Sequence, residues 1–340
     1  MSDIKKIIAK VNKELKAYID PVDSSVPGWI STGSTLLDAA VKEGLPIGRI
    51  VELTGKSGTG KSALSFSILA ETQKAGGIGV LIDTERAIDL DFAKKFGVDI
   101  DDLIYCAPEN VEDIYDFVKE VVTTIRGNEK PNEFVPLTVI VDSCTVSTRG
   151  ELDKEMNESM KIGENAKMQR RGLRGLLTFL VENKVLFIGI NHIVANISRM
   201  PNAPQETSTG GSGWEFYPSV RIKLRCKQIV DAKSSARTGI EMFATVVKNR
   251  HDFPFRTAQI LLDFNRGFDD TASLVNFACD KGILPTKTGW VTFEGQSHRK
   301  TALIDLFKTT PEKYEWLKNA CIGVMRATDV AADAFIPEGS

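Results

Sequence analysis

The first residues that predict chemistry in this sequence are GKSGTGKS, from Gly55 to Ser62. They match the pattern G-x-x-x-x-G-K-[ST], after an apolar run that predicts a strand and before a segment with helical spacing, as a phosphate-binding loop requires. Glycines let successive backbone N–H groups curl around phosphate oxygens, and the helix N-terminus adds positive dipole. The predicted phosphate-binding residues are Gly55, Lys56, Ser57, Gly58, Thr59, Gly60, Lys61 and Ser62.

Two side chains of this loop and one distant acid predict Mg²⁺ beside the phosphates. Lys61 should neutralise charge on the β- and γ-phosphates, and the Ser62 hydroxyl should ligate the ion. Asp142 ends the apolar run TVIVDS, at the carboxyl end of a predicted strand, where it can hold the ion's water shell opposite Ser62. Many strands end in Asp, so Asp142 carries weight only together with the loop.

Nucleotide hydrolysis also needs a group that orients or activates water. Several acids could serve. Glu85, in LIDTE, follows the strand that comes after the phosphate-loop helix, and in a sheet of neighbouring strands that end lies beside the γ-phosphate. Asp83 belongs to the strand itself and fits a structural role. Position favours Glu85 and leaves the other acids as alternatives.

Strands and helices alternate from about residue 48 to residue 192. Apolar strands separated by helices predict an α/β fold with a mainly parallel sheet covered on both faces. The short alternating segments SVRIKLRC, MFATVVKNR and AQILLDF predict antiparallel additions at the sheet edge. We expect a P-loop ATPase core over residues 31–268 and a small C-terminal α/β domain over 269–340.

Residues 1–30 form a separate N-terminal segment in this prediction. Apolar residues at helical spacing between residues 3 and 18, with lysines between them, predict a short amphipathic helix, followed by a linker, DPVDSSVPG. The helix either packs on its own domain or acts as an oligomerisation arm that docks on a neighbouring subunit.

Composition limits the class of protein. The chain has 340 residues, is 42% hydrophobic and carries a net charge of −2, so any nucleic-acid site must be a local basic patch. The five cysteines are scattered, which favours reduced thiols and a cytoplasmic location. No apolar run reaches the ~18 residues of a membrane span, and the N-terminus lacks a signal-peptide core, so we expect no membrane partner.

One local basic patch lies between Lys161 and Arg174, where five basic residues accompany one acid, Glu164. On a helix, four of them share one face and four leucines fall on the opposite face: Lys167, Arg170, Arg171 and Arg174 against Leu173, Leu176, Leu177 and Leu180. A solvated charged face is the usual explanation. However, no acids are interleaved to form i,i+4 pairs, and this imbalance favours a phosphate partner such as DNA.

A polar segment, NISRMPNAPQETSTGGSG at 196–213, follows the apolar run VLFIGINH. It is rich in Pro, Ser, Thr, Asn and Gly, and should not fold alone. Long irregular loops in compact domains are usually functional.

Five blocks of the sequence stand in a fixed order, namely ISTGSTLLDAAVKEGLPIGRIVEL, LIDTERAIDLDFAKKFGVDIDDL, VIVDS, ETSTGGSGWEFYPSVR and VVKNR. In this order and at these separations they closely resemble the bacterial and phage RecA recombinase family. The resemblance runs from about residue 30 to residue 335 and is looser after residue 265. The location it implies is the bacterial cytoplasm, which for a phage member of the family is that of an infected host cell.

The resemblance implies a RecA-type core that forms helical filaments of itself on single-stranded DNA, with ATP and Mg²⁺ at subunit interfaces. It implies a DNA-dependent ATPase that pairs single-stranded with double-stranded DNA and exchanges strands during DNA repair and the SOS response. Single-strand-binding and loader proteins are further partners of such filaments.

Several site residues follow from the resemblance alone. Glu85 matches the family's catalytic glutamate, and Asp89 and Phe92 match residues that hold and stack adenine, with Phe92 where the family often has Tyr. Lys248 and Arg250, in VVKNR, match basic residues that reach the neighbour's γ-phosphate, where an Arg would act like an arginine finger. Without the resemblance, VVKNR would be interpreted as a solvated strand end.

The resemblance also locates two DNA-binding loops, at about 153–166 and 192–212. In the second, TGG at 209–211 would let backbone N–H groups approach phosphates, and Ile197 or Met200 would either wedge between bases or pack on the parent domain. We expect this loop to become ordered only with DNA and ATP. The predicted DNA-binding residues are Lys161, Lys167, Arg170, Arg171, Arg174, Ile197, Arg199, Met200, Gly210, Gly211 and Ser212.

His192 stands where the family usually has a Gln that couples the γ-phosphate to the second loop. An imidazole can donate one hydrogen bond and also titrates near neutrality. The hypothesis is that His192 keeps the coupling role and makes it depend on pH.

Other functions remain as alternatives. A ring helicase or clock-type ATPase shares the core but gives no reason for STGGSGWEFYPSVR. A regulatory protein with a degenerate ATPase conflicts with the intact Lys61, Ser62, Glu85 and Asp142. A metabolic kinase would need a lid or a second substrate site, and the sequence shows neither.

Overall fold

The computed structural model describes residues 25–130, 133–148, 164–195, 206–208, 213–231 and 234–327. The predicted N-terminal helix at residues 3–18, most of the first DNA-binding loop and much of the second lie outside these ranges.

The described strands are short near both ends of the chain and long in the middle. They are β1 Trp29–Ile30, β2 Leu45–Pro46, β3 Ile50–Gly55, β4 Ile78–Asp83, β5 Leu103–Cys106, β6 Leu137–Asp142, β7 Val185–Ala195, β8 Glu206–Ser208, β9 Val220–Val230, β10 Arg237–Asn249, β11 Thr257–Asp263, β12 Gly267–Phe268, β13 Thr286–Lys287, β14 Trp290–Phe293 and β15 Gln296–Arg299.

The described helices fall between these strands and near the C-terminal end. They are α1 Thr35–Val41, α2 Lys61–Lys74, α3 Leu90–Lys94, α4 Val111–Asn128, α5 Glu164–Glu182, α6 Gly213–Phe216, α7 Asp270–Asp280, α8 Lys300–Thr309 and α9 Pro311–Ala327. Side-chain caps mark several N-termini: Ser34, Asn110 and Asp269 accept backbone N–H groups at the starts of α1, α4 and α7, which satisfies donors that have no partner within the helix.

The main sheet has the order β12-β11-β10-β9-β3-β7-β6-β4-β5, with β8 paired to β7. From β9 to β5 neighbouring strands run parallel, as the alternation of strands and helices predicts. The antiparallel additions are β10, β11 and β12. The segment SVRIKLRC was wrongly predicted to be one of them: it forms the start of β9, which runs parallel to β3 and antiparallel to β10.

Apolar layers cover both faces of the sheet. One layer contains Leu36, Phe66 and Leu69 from α1 and α2. The other contains Val118 from α4 together with Leu173, Leu176 and Leu180 from α5. Because the central strands β3, β4 and β6 are buried on both sides, their residues are mostly apolar, and this rigid layer fixes the positions of the loops at the strand ends.

One part of the polar segment differs from its prediction. Glu206–Ser208 forms β8, which pairs antiparallel with the end of β7 through Ile193↔Ser208 and Ala195↔Glu206. The segment was expected to order only with DNA and ATP, but backbone pairing to β7 already gives these three residues a regular conformation, since an exposed strand end offers unpaired N–H and C=O groups.

A C-terminal unit follows the sheet, and its first helix, α7, begins at Asp270. The Asp270 carboxylate accepts hydrogen bonds from the Thr35 backbone N–H and hydroxyl, both at 2.8 Å, and from the Tyr314 hydroxyl at 3.0 Å. These bonds join α7, α9 and the start of α1. Among the residues that the structure describes, no helix is both long and apolar enough to cross a bilayer.

Candidate nucleotide site and nucleic-acid interface

The parallel register brings the predicted nucleotide-binding residues to one edge of the sheet. Gly55 at the end of β3 lies opposite His192 on β7, and Asp83 at the end of β4 lies opposite Asp142 at the end of β6. Ligands of open α/β sheets bind beyond the carboxyl ends of the strands. The site therefore forms where that rule expects it.

The phosphate loop has a backbone that only small residues allow. Gly58 and Gly60 have φ angles of 74° and 92°, in the left-handed region that favours glycine. A Cβ on Gly55 would lie 2.6 Å from Thr59 Oγ1 and 2.8 Å from the Leu224 carbonyl oxygen. Glycines at these positions let the backbone approach a phosphate group without interference from Cβ atoms.

Lys61 is held inside this loop. Its Nζ donates to the carbonyl oxygens of Gly55 and Lys56, each at 2.9 Å. Burial lowers the pKa of the Lys61 ammonium, and the charges of Asp142 and Glu85 oppose that shift. A cation held at the mouth of a glycine loop fits a site for an anionic polyphosphate.

Ser62 and Asp142 are in direct contact. Ser62 Oγ donates to Asp142 Oδ2 at 2.9 Å. Burial raises the pKa of Asp142, the Ser62 hydrogen bond opposes this, and the charge of Glu85 adds to it. A hydroxyl and a carboxylate at this separation, with a second carboxylate nearby, are the oxygen ligands that Mg²⁺ accepts.

The geometry distinguishes the two candidate water-activating acids. Asp83 is buried, and its carboxylate accepts from the Ile88 backbone N–H and the Tyr105 hydroxyl, both at 3.0 Å, and from the Ala87 N–H at 3.4 Å. It therefore holds the turn after β4. Glu85, in that turn, is exposed, and its Oε1 lies 3.3 Å from His192 Nε2.

The predicted adenine residues lie on a short helix beside the loop. Asp89 caps α3, and its Oδ1 accepts from the N–H groups of Asp91 and Phe92 at 2.9 and 3.3 Å. The half-buried ring of Phe92 packs edge to face on Phe66 and Phe96, with centroid distances of 6.0 and 5.1 Å. Capping is a function of Asp89 that the resemblance did not indicate.

Lys248 and Arg250, which are predicted to reach the γ-phosphate of a neighbouring subunit and are named here the trans cations, lie at the end of β10. Lys248 Nζ donates to the carbonyl oxygens of Glu215 and Phe216 at 2.8 and 2.9 Å, and an Arg250 Nη donates to the same Phe216 carbonyl at 3.1 Å. Phe216, which ends α6, is exposed. Both cations are thus held by the backbone of α6, just after the second predicted DNA-binding loop.

The basic face of α5 is exposed and its leucine face is buried. Lys167, Arg170, Arg171 and Arg174 are exposed, whereas Leu173, Leu176 and Leu180 are buried and Leu177 is half-buried. The other predicted DNA-binding residues lie outside the described ranges: Lys161, Ile197, Arg199, Met200, Gly210, Gly211 and Ser212.

Comparison with known proteins identifies the family. The model of the RecA N-terminal domain matches residues 5–269. Protein RecA of Mesomycoplasma hyopneumoniae strain J is 32% identical over 298 residues, which cover 87% of this chain and 84% of that protein. Protein RecA of Streptomyces venezuelae is 34% identical over 267 residues, 78% of this chain and 68% of that protein.

Protein RecA of Sulfurimonas denitrificans is 34% identical over 277 residues, 81% of this chain and 76% of that protein. The chain belongs to the RecA family. It is therefore a recombinase and a DNA-dependent ATPase. The ring helicase and the regulatory ATPase are not favoured.

Sequence reasoning missed one buried residue on α5, the helix that carries the predicted DNA-binding cations. Gln169 lies among the exposed cations of α5 but is itself buried. Its Nε2 donates to the Cys144 carbonyl at 2.7 Å, and its Oε1 accepts from the Tyr115 hydroxyl at 2.8 Å and from Trp214 Nε1 at 3.4 Å. Only the break in the basic pattern at residue 169 could have indicated it.

The Gln169 network joins three parts of the RecA core. Cys144 follows Asp142 by two residues, and Gln169 lies on α5. Trp214 lies on α6, just after the second predicted DNA-binding loop. The Trp214 ring packs on β7 so closely that a Cβ on Gly189 would lie 2.0 Å from it. The network therefore fixes α5 and α6 to the strand ends of the nucleotide site.

We expect Gln169→Leu to lower the free energy of unfolding by about 1–3 kcal/mol, because the Tyr115 hydroxyl, the Trp214 N–H and the Cys144 carbonyl would lose a buried partner. Urea unfolding followed by circular dichroism measures the change. Arg171→Leu on the exposed face of the same helix is the control and should shift stability by less than about 0.5 kcal/mol. Equal losses in both variants would mean that the network contributes no special stability.

Proposed function

We propose that this chain forms helical filaments on single-stranded DNA and uses ATP and Mg²⁺ at its phosphate loop to pair that strand with homologous double-stranded DNA. The observation that carries the proposal is the strand-end geometry: Ser62 contacts Asp142, and Glu85 lies within 3.3 Å of His192, all beside the glycine loop. Family membership supports DNA binding and filament formation.

In this proposal each residue at the strand ends has one task. The loop N–H groups and Lys61 bind the β- and γ-phosphates, and Ser62 and Asp142 hold Mg²⁺, which neutralises phosphate charge when bound. Glu85 orients the attacking water and accepts its proton. Asp89 and Phe92 hold the adenine, and the Phe92 ring offers a stacking surface.

In the proposed filament, each nucleotide site is completed by residues of the neighbouring subunit. Lys248 and Arg250 reach the γ-phosphate bound by the adjoining subunit, where Arg250 acts as an arginine finger. The oligomerisation arm within residues 1–30 docks on that neighbour, ahead of the core at 31–268 and the C-terminal domain at 269–340. Single-strand-binding and loader proteins are proposed partners in filament assembly.

Electron microscopy tests the proposed assembly. The chain is incubated with single-stranded DNA, Mg²⁺ and a non-hydrolysable ATP analogue. Open helical filaments that require both DNA and the analogue are the expected result. Lys248 and Arg250 leave one half of each site on the next subunit, and a heterologous contact whose rotation does not close extends as a helix. Closed rings would contradict the proposal.

The exposed arginines of α5 predict a salt effect on DNA binding. We expect Arg170→Ala/Arg171→Ala to weaken binding of single-stranded DNA and to reduce the slope of log K against log salt by about 1.4, since each phosphate contact contributes roughly 0.7. Fluorescence anisotropy with a labelled oligonucleotide at several salt concentrations measures this slope. Lys74→Ala/Lys94→Ala removes two exposed lysines from α2 and α3 and should leave the slope unchanged.

The contact between His192 and Glu85 predicts a role in coupling. His192 Nε2 lies 3.3 Å from Glu85 Oε1, so the side chain at this position can hold the carboxylate that orients the attacking water. We expect His192→Ala to lower the stimulation of ATPase by DNA, and His192→Gln, whose amide can also donate a hydrogen bond, to keep it. Steady-state rates with and without saturating DNA provide the comparison. Equal stimulation in His192→Ala and the wild type would exclude this role.

A further inference from the structure

Glu52 is a charged residue in the interior of the sheet. It lies in the middle of β3, the strand that leads into the phosphate loop, and its side chain is 0% exposed. A buried carboxylate is costly unless it is paired and hydrogen-bonded. Its partners therefore indicate why an otherwise apolar strand contains it.

The partners of Glu52 come from the two strands beside β3. Asn191 Nδ2, on β7, donates to Glu52 Oε1 at 2.8 Å. Arg221, on β9, donates its Nε–H to Glu52 Oε2 and forms an ion pair with it. Burial raises the pKa of Glu52, and the charge and hydrogen bond of Arg221 oppose that shift. The ion pair with Arg221 thus favours the ionised form of the buried carboxylate.

Arg221 connects this pair to the trans cations. In the antiparallel pairing of β9 and β10, Arg221 lies opposite Lys248, and Arg250 follows two residues later on the chain. These three residues, Arg221, Lys248 and Arg250, are named here the cation cluster. Glu52 is the buried acid that pairs with it from β3.

The charges that face Lys248 come from every neighbouring element. The pKa of Lys248 is lowered to about 8, first by burial and then by the charges of Arg250, just after β10, and Arg221 on β9, whereas the charge of Glu52 on β3 raises it. From α6, the carbonyls of Glu215 and Phe216 accept its N–H groups, and the charge of Glu215 acts on Glu52. The like charges of Arg221 and Arg250 thus disfavour the Lys248 ammonium, and the opposite charge of Glu52 favours it.

We propose that Glu52 is a positioning residue for hydrolysis across the subunit interface: it is the buried counter-ion that anchors the cation cluster at the end of β10. The proposal rests on the proposed function of Lys248 and Arg250. Glu52 also binds Asn191, which precedes His192, so the same carboxylate contacts the strand that carries the candidate coupling residue.

The first test is Glu52→Gln, which keeps the side-chain size and an acceptor oxygen but removes the charge. Without this carboxylate Lys248 should lose its proton at lower pH, since an opposite charge favours the protonated ammonium. We expect the alkaline limb of the DNA-dependent ATPase profile to move by about one pH unit towards acid, with lower kcat and unchanged KM for ATP. The phosphates bound by the neighbouring subunit affect the Lys248 ammonium equally in the wild type and in Glu52→Gln, so they do not contribute to the difference.

Lys248→Arg supplies the matched control. An Arg side chain stays charged throughout the accessible pH range, so Glu52→Gln/Lys248→Arg should show the same alkaline limb as Lys248→Arg alone. Binding of a fluorescent ATP analogue to the DNA-free chain should be the same in all variants. An alkaline limb of Glu52→Gln identical to that of the wild type would overturn the inference.

A second variant keeps the test decisive if Glu52→Gln does not fold. Glu52→Gln/Arg221→Gln removes both charges of the buried ion pair together, so neither partner is left as an unpaired buried charge. We expect roughly tenfold lower kcat with unchanged KM for ATP, because the trans cations lose their anchor. Wild-type kcat in this double variant would overturn the inference.

Lys248→Ala distinguishes a failure of the proposed function of Lys248 from a failure of the proposed role of Glu52. If Lys248→Ala retains the wild-type rate, the proposed trans function of Lys248 is wrong, whatever Glu52 does. If Lys248→Ala is inactive but both Glu52 variants behave like the wild type, only the role of Glu52 is wrong.

Discussion

Glu85→Gln is expected to reduce DNA-dependent ATP hydrolysis by about 10²–10⁴-fold, the usual contribution of a general base. The amide cannot accept the proton of the attacking water. It can still accept a hydrogen bond at the position of Oε1, 3.3 Å from His192. ATP and DNA binding should therefore remain, and filaments should persist because the nucleotide is not consumed. Phosphate release and filter binding of labelled DNA measure the two properties separately.

Glu109→Gln is the control for this prediction. Glu109 is also exposed, and its carboxylate pairs with Arg86 at 3.0 Å. Because exposed ion pairs contribute little, hydrolysis should stay near the wild-type rate. If instead Glu85→Gln hydrolyses ATP normally, the water-activating group is another acid of the strand ends.

Mixed filaments are expected to recover activity from two inactive variants. Arg250→Ala should lower the rate by about 10³-fold, as removal of an arginine finger does. In an equal mixture with Glu85→Gln, about one quarter of the interfaces join an intact Glu85 to an intact Arg250 of the next subunit, given a heterologous contact. About a quarter of the wild-type rate should return.

The control mixture combines Glu85→Gln with Asp142→Asn. Both residues lie at the strand ends of one subunit, and Asp142 contacts Ser62 of the same chain. No interface in that mixture then has a complete site, and no activity should return. No recovery in the first mixture, although labelled subunits co-assemble, would show that Arg250 acts within its own subunit. Recovery in the control mixture would show that Glu85 and Asp142 can serve one site from different subunits.

Local patterns were sufficient to predict that the glycine loop follows β3, that Asp142 ends β6 and that α5 has one exposed and one buried face. Each depends on residues within one turn or one strand end, where a short stretch of sequence determines the geometry. The parallel core of the sheet was predicted for the same reason, since its strands are apolar on both faces.

Contacts between elements could not be predicted in this way. The direction of β9 depends on its pairing with β3, because a strand with one exposed face has the same alternation whether it runs parallel or antiparallel. Gln169 and Glu52 are single polar residues in apolar surroundings, and their partners come from other strands and helices. Only the register of those elements reveals what they bind.

The position of Lys61 has a consequence for the energetics of nucleotide binding. Its ammonium already forms two hydrogen bonds with carbonyls of its own loop. A phosphate that binds Lys61 replaces these bonds, so the net gain is the energy of the new contacts minus that of the bonds they replace. Binding enthalpy should be smaller than the number of new contacts implies. Truncation of Lys61 would also leave two loop carbonyls without their donor, so the measured loss would combine phosphate affinity with the conformational stability of the loop itself.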